Sequence, residues 1–256
     1  MSPHDWFFCR LPEAGSPEVS ELIRPFRTAD GIWFFDPVTD ARGRGVELWF
    51  RAAPGEIAAF RAALHTGGGL RVAEERIAER PPVHPGGRGL DIADELAAAS
   101  SELALSLAAV GAPSPQDGPD WAVRHLRHIV GLVPQRERRA FLFACWQHWT
   151  TALEPAHRVD LGLQAEIAAA SATPDVTGPA ADPWDRYTTA TRAVACAPAF
   201  TANAPGNYLL FDHAHRTHGR LSLSLAVEAL AVRIVRAEYD ATGAPVAPVP
   251  SVLQDA

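Results

Sequence analysis

IWFFDPVTDARGRGVELWF, residues 32–50, sets two aromatic-rich apolar runs on either side of a polar turn. Ile32-Trp33-Phe34-Phe35 reads as a strand that stops at Asp36-Pro37, and Val46-Glu47-Leu48-Trp49-Phe50 reads as the next. Asp40, Gly43 and Gly45 supply the turn between them. Upstream, Trp6 to Arg10 forms a strand, and Ser16-Pro17 starts a helix over Glu18–Arg24 that Pro25 stops. Downstream, Pro54-Gly55 opens a helix through Ile57, Phe60 and Leu64, which Gly67-Gly68-Gly69 ends. Leu70–Ala78 is a weakly alternating fourth strand. The order β-α-β-β-α-β is that of a ferredoxin-like antiparallel sheet, which places the chain in the α+β class. Such sheets host many unrelated functions.

Beyond residue 80 the patterns are helical. Pro81–Gly89 (PPVHPGGRG) is the expected boundary, dividing a sheet part over 1–80 from a helical part over 81–242 packed on it. Helices are expected over Ile92–Val110, from a cap at Asp120 through Ile129 and Val130, over Gln135–Leu153, over Asp160–Ser171 and over Trp184–Cys196. The tail from Gly243 to Ala256 is proline-rich and reads as extended or disordered.

Composition excludes several classes of function. The 256 residues contain no lysine, so Schiff-base and P-loop lysine chemistry are absent. A net charge of -7 argues against general nucleic-acid binding. No apolar run is long enough to span a membrane, and the N-terminus has no signal-peptide pattern. Cys9, Cys145 and Cys196 are widely spaced and read as reduced thiols of a cytoplasmic protein.

Chemistry concentrates in residues 208–239, YLLFDHAHRTHGRLSLSLAVEALAVRIVRAEY. His213, His215 and His218 fall within six residues, and Arg220 follows. On one helix the three imidazoles cannot share a face, but His215 and His218 can, with Phe211 one turn before. His215 and Arg220 would lie on separate faces unless the helix kinks at Gly219, ending near His218 and restarting at Leu221. A solvated helix start and a cleft of acid–base groups both remain open. The histidines match no zinc motif, and a His213/His215/Asp212 metal site is the weaker alternative. Arg136, Arg138 and Arg139 begin a helix whose dipole repels them, and read either as a solvated end or as a docking patch for an acidic peptide.

The order of parts, with Trp33-Phe34-Phe35, Val46-Glu47-Leu48-Trp49-Phe50 and His215-Arg216-Thr217-His218-Gly219-Arg220-Leu221 followed by Glu228, resembles the thiopeptide-type bacteriocin biosynthesis domain. That domain ends lanthipeptide dehydratases and also stands alone in thiopeptide clusters. Glu47 and Trp49 occupy the third-strand positions where eliminating members carry arginines for the expelled glutamyl group, and Asp36-Pro37 replaces an Arg-Tyr pair. A carboxylate cannot hold a departing glutamate. The resemblance therefore implies a stand-alone pyridine synthase. Such an enzyme joins two dehydroalanines of a modified precursor peptide by a formal [4+2] aza-cycloaddition, then expels water and the leader.

That chemistry implies no cofactor, metal or nucleotide, only proton transfer and enforced proximity. The expected partners are the precursor peptide and other enzymes of the pathway, with neither nucleic acid nor membrane. His215 is expected as acid/base and Arg220 as an orienting group, with His218, Tyr208 and Glu47 in support and Trp49, Trp33 and His213 binding substrate. The resemblance would make the leader the peptide that docks on Arg136, Arg138 and Arg139. The alternatives are a glutamate-eliminating subunit of a split tRNA-dependent dehydratase and a non-catalytic leader-binding scaffold.

Overall fold

The computed structural model describes residues 6–27, 31–66, 70–78, 89–114, 116–168, 175–197, 200 and 206–241. Its N-terminal part runs β1 (Trp6–Pro12), α1 (Ser16–Ile23), β2 (Ile32–Asp40), β3 (Gly43–Arg51), α2 (Pro54–Thr66) and β4 (Glu74–Ala78). The strands lie in the order β2-β3-β1-β4, every neighbouring pair antiparallel. β1–α1–β2 and β3–α2–β4 are therefore interleaved split βαβ units, the ferredoxin-like arrangement of an α+β chain.

The β2–β3 connection is tighter than the sequence suggests. β2 does not stop at Asp36-Pro37 but continues to Asp40, with Pro37 opposite Val46. β2 is an outer strand, so a proline whose missing N–H would face away from β3 is tolerated. Asp40 pairs with Gly43 across Ala41-Arg42, and Gly43 takes a φ of 96° to close the turn. Gly45, expected in the turn, lies inside β3. A Cβ there would stand 2.7 Å from the Leu11 carbonyl oxygen, so β1 runs too close for any side chain.

Strand alternation gives the sheet two distinct faces. Phe7, Cys9, Leu11, Trp33, Phe35, Val46, Leu48 and Phe50 pack with Val19 of α1 and with Ile57 and Phe60 of α2. Trp6, Phe8, Phe34 and Trp49 form the opposite face, packed with Ala97. Along that second face Arg10 and Asp36 both lie opposite Glu47 in the register, so its far end is charged.

The helical part comprises α3 (Gly89–Ala109), α4 (Gly118–Leu132), α5 (Arg138–Trp149), α6 (Pro155–Ala168), α7 (Ala181–Cys196), α8 (Gly206–Arg220) and α9 (Leu225–Ala241). α9 packs against α4, α5 and α6. Its Ala231, Val232 and Val235 are fully buried in a core with Leu126, Ile129 and Val130 of α4 and Leu142 and Cys145 of α5. α3 joins the two parts: Ile92 and Leu96 enter the helical core, while Leu103 and Leu107 enter the core beneath the sheet. The expected boundary at Pro81, the glycines 67–69 and the tail beyond residue 242 lie outside the described residues.

Several helix ends differ from expectation because prolines act at the first turn. Asp117 takes the N-cap position of α4 without a side-chain capping bond, and Pro119 lets the helix begin before Asp120, which instead sits in the first turn where its charge suits the dipole. α6 and α7 likewise begin earlier than expected, at Pro155 and at Ala181 two residues before Pro183. α5 starts only at Arg138, after a single 3₁₀ turn over Gln135–Glu137, and ends at Trp149.

The expected kink at Gly219 is absent. α8 is continuous to Arg220 and ends in a Schellman turn, with Leu223 N–H donating to the His218 carbonyl and Ser222 N–H to that of Gly219. Ser222 takes the left-handed position, at a φ of 58°. After this turn α9 begins at Leu225, and its first turn brings Glu228 to His215 and His218 of α8.

Candidate functional site

α8 places its polar side chains on two separate faces. Toward the sheet, Arg220 donates from Nε to the Phe35 carbonyl at 2.6 Å, from Nη1 to Ser100 Oγ at 2.7 Å and from Nη2 to Asp36 Oδ1 at 2.7 Å. Phe35 N–H in turn donates to Ser101 Oγ, so the outward groups of the outer strand are held by α3 and α8. Arg216 spans Asp36 at 3.1 Å and Asp212 at 2.8 Å. Asp212, His213, Arg216 and Arg220 line a narrow pocket of about 20 Å³ with Ala93, Leu96, Ala97 and Leu209.

On the other face, His215 donates from Nδ1 to Glu228 Oε2 of α9 at 2.9 Å and stacks on Trp149, as Phe211 does. His218 Nδ1 stands 3.5 Å from Glu228 Oε1, an ion-pair separation longer than a formed hydrogen bond. His218 Nε2 is 3.0 Å from His125 Nδ1, His125 Nε2 is 2.6 Å from the Tyr187 hydroxyl, and that hydroxyl is 2.7 Å from His213 Nε2. One chain of contacts thus runs from His215 of α8 to Glu228 of α9, back to His218 of α8, across α4 and α7 through His125 and Tyr187, and returns to α8 at His213 beside the pocket. His125, Tyr187, His213, His218 and Glu228 are all buried, whereas the His215 side chain is 45% exposed.

Electrostatics separates the two ends. Burial, reinforced by neighbouring imidazoles, holds His125 well below the usual histidine range. Burial and then the Arg220 charge do the same to His213, so both are neutral. Burial pushes the Tyr187 phenol up. At the other end the Glu228 hydrogen bond raises His215. Burial works to raise Glu228, but the His215 hydrogen bond and the nearby His218 imidazole outweigh it and hold its carboxyl below the usual range. His128 hydrogen-bonds to Thr191 as a side branch, and burial lowers it to about 4.

The residues expected at the site are therefore spread over more than one place. His213, His218 and Arg220 are buried on α8, and His215 is on its outer face. His215 and Arg220 do not converge, because the helix stays straight between them. Tyr208 is 63% exposed at the start of α8. Glu47 faces the same side of the sheet as Asp36 and pairs with Arg10 at 3.3 Å. Trp49 lies on that face among Phe8, Trp6 and Phe34, whereas Trp33 points into the core on the other side. Arg138 donates to the Gly131 and Val133 carbonyls at the end of α4, and Arg139 to that of Tyr239, so these two hold helix ends; Arg136 is largely exposed.

Sequence reasoning missed His125, Tyr187 and the partner role of Asp36. His125 lies four residues from both Trp121 and Ile129, on the buried stripe of α4, and that spacing was a readable signal. Tyr187 gives no comparable sign. Among the described residues, no group of three or more His, Cys, Asp or Glu is arranged to hold a metal ion, and no helix is long and apolar enough to cross a membrane.

No family model and no curated protein matches the chain. Solved structures do, in fold. Over 95% of its length it superposes on the tRNA-dependent lantibiotic dehydratase MibB from Microbispora sp. 107891, with a TM-score of 0.61 and 17% identity. It spans only 29% of that protein. TsrL is similar over 93% of this chain and 96% of its own, with a TM-score of 0.51 and 12% identity. The pyridine synthase TbtD from thiomuracin biosynthesis aligns over 91% and 97%, with a TM-score of 0.39 and 16% identity. At these identities the likeness is one of fold.

Proposed function

We propose that this chain acts on a dehydrated precursor peptide and closes its macrocycle by building a pyridine from two dehydroalanines, releasing water and the leader as its amide. One observation supports this reading above the others. Arg10, Arg216 and Arg220, the arginines around the charged end of the sheet and the pocket, are already held by the chain's own carboxylates. Expelling glutamate requires cations that can receive a departing carboxylate. Here an incoming carboxylate would have to displace Asp36, Asp40 or Glu47 against like charge.

What the pocket offers is neutral acid–base chemistry. His213 borders it, with Nε2 committed to Tyr187 and Nδ1 left for substrate. The pocket holds about one water as it stands, so its lining side chains part to admit the dehydroalanine and its flanking amide. In this reading His213 moves the amide proton as the 2-azadiene forms, while Asp212 and Arg216 orient the amide. His215, on the far face of α8, does not touch substrate.

A second reading, a glutamate-eliminating subunit of a tRNA-dependent dehydratase, is favoured by the likeness to part of MibB. Mass spectrometry separates the two. Incubated with the linear dehydrated, azole-containing precursor, the protein should yield a macrocycle lacking water and leader, together with a free leader amide, and chelator should not change the yield. Loss of glutamate from a glutamylated precursor would establish the second reading instead.

A further inference from the structure

We propose that Glu228, buried and away from the pocket, is the base that allows His213 to act, with Tyr187, His125 and His218 passing the proton between them. This inference rests on the pyridine-forming reading of the pocket. The contacts have one consistent direction when each imidazole is neutral. With His218 Nδ1–H turned to Glu228, His218 Nε2 must accept, so His125 Nδ1–H donates to it. His125 Nε2 then accepts from the Tyr187 hydroxyl, whose oxygen accepts from His213 Nε2–H. Every proton points toward Glu228.

The direction matters because His213 alone is a poor base. A cation formed there would be buried and would face Arg220, which lines the same pocket. The relay removes that obstacle. His213 Nδ1 takes the amide N–H proton and passes its Nε2 proton to Tyr187. Tyr187 gives its own to His125 Nε2, His125 its Nδ1 proton to His218, and His218 its Nδ1 proton to Glu228. No cation is left in the pocket, and a buried carboxylate is neutralised. The five transfers reversed return a proton to the amide oxygen, which completes the tautomer and restores the relay. The link from His218 to Glu228, at 3.5 Å, must shorten by about half an ångström to carry the proton.

His215 is the positioning residue at the outer end. It holds Glu228 Oε2 from the half-exposed face of α8, between Asp212 and Arg216 of its own helix and the Trp149 ring of α5. Its protonation keeps Glu228 ionised but lowers its basicity, so Glu228 accepts more readily once His215 has lost its proton.

The test uses the full chain with ¹⁵N-labelled histidine. As pH is taken through the titration of His215, the imidazole resonances of His218, His125 and His213 should shift with it. In Tyr187→Phe, His213 should stop following while His218 and His125 continue; in Glu228→Gln all three should fall silent. Single-turnover cyclisation should drop about a hundredfold in both variants, with leader affinity unchanged. Melting curves verify folding, and Glu228→Gln, which keeps the side-chain shape, stands in if Tyr187→Phe does not fold. Parental cyclisation by the folded variants, or a His213 resonance that ignores His215 in the parent, overturns the relay. A parent that forms no pyridine overturns the functional reading instead, and the resonances alone then decide the relay.

Discussion

Asp36 Oδ1 accepts a hydrogen bond from Arg220 Nη2 at 2.7 Å, and this buried contact fastens the last turn of α8 to the outer strand of the sheet. Arg220 is 2% exposed and satisfies a backbone carbonyl and a serine from the same guanidinium. Its place in the fold is that of an anchor between the helical part and the sheet, and it borders the pocket only through this role.

Removing Asp36 leaves the Arg220 guanidinium buried without its carboxylate. Asp36→Asn weakens the ion pair and also costs Arg216 one of its two carboxylates, so it should destabilise the protein by about 3 kcal/mol. Arg220→Ala additionally strands the Phe35 carbonyl and should lower the melting temperature by roughly 10 °C. Thermal melts of the two single variants and the double variant check this. A double variant no worse than Arg220→Ala alone would show that the pair acts as a unit.

The sheet was legible because local chemistry and long-range order agreed there. Short aromatic-rich runs in the first three strands, broken by Asp, Gly and Pro, admit few arrangements other than paired strands. The site was not, because its groups converge from distant helices. His125 is 93 residues from His218 and Tyr187 is 26 from His213, and no local pattern encodes those meetings. The kink assigned to Gly219 failed for a related reason. Packing against β2 and α3 keeps α8 straight through Arg220, and the reversal falls at Ser222, a residue that gives no turn signal stronger than its neighbours.

Ser222 therefore invites a substitution. It occupies the left-handed position of the Schellman turn with an exposed side chain. Ser222→Gly relieves that backbone and should stabilise the protein by about 1 kcal/mol, whereas a β-branched Ser222→Val should destabilise it by at least as much. Denaturant midpoints of the two variants moving in opposite directions around the parent are the expected result.

The buried histidines predict an acid-labile fold. His125, His128 and His213 are held neutral in the folded state, so below the unfolded histidine pKa the unfolded chain binds protons that the native one refuses. Stability should fall with decreasing pH from about 6.5, by up to about 4 kcal/mol per pH unit while all three resist protonation. His215 works the other way: its raised value adds stability that is full in acid and fades as pH rises through its folded-state titration. Glu228 adds stability above the usual carboxylate range, lost only as pH falls through its lowered value. Melting temperature should therefore peak near neutrality, and His215→Gln should flatten the alkaline side alone.

The final prediction concerns whether two positions on β3 set the reaction. Glu47 faces Arg10 at 3.3 Å and lies opposite Asp36, so Glu47→Arg replaces a partner of Arg10 with a second cation. Trp49 is 8% exposed, its ring 4.7 Å from Phe8 and 6.4 Å from both Trp6 and Phe34, so Trp49→Arg buries a charge among aromatic rings. Restoring arginine at both positions should therefore lower the melting temperature sharply and abolish cyclisation. It should not create glutamate elimination, because Arg216 and Arg220 remain committed to Asp36 and Asp212. Glu47→Gln, which keeps the shape and one hydrogen bond to Arg10, should fold and cyclise within a few-fold of the parent. Products from a glutamylated precursor and from the linear dehydrated peptide, resolved by mass spectrometry, decide the matter. A folded double variant that expels glutamate would show that these two side chains, and not the paired arginines behind them, choose between the two reactions.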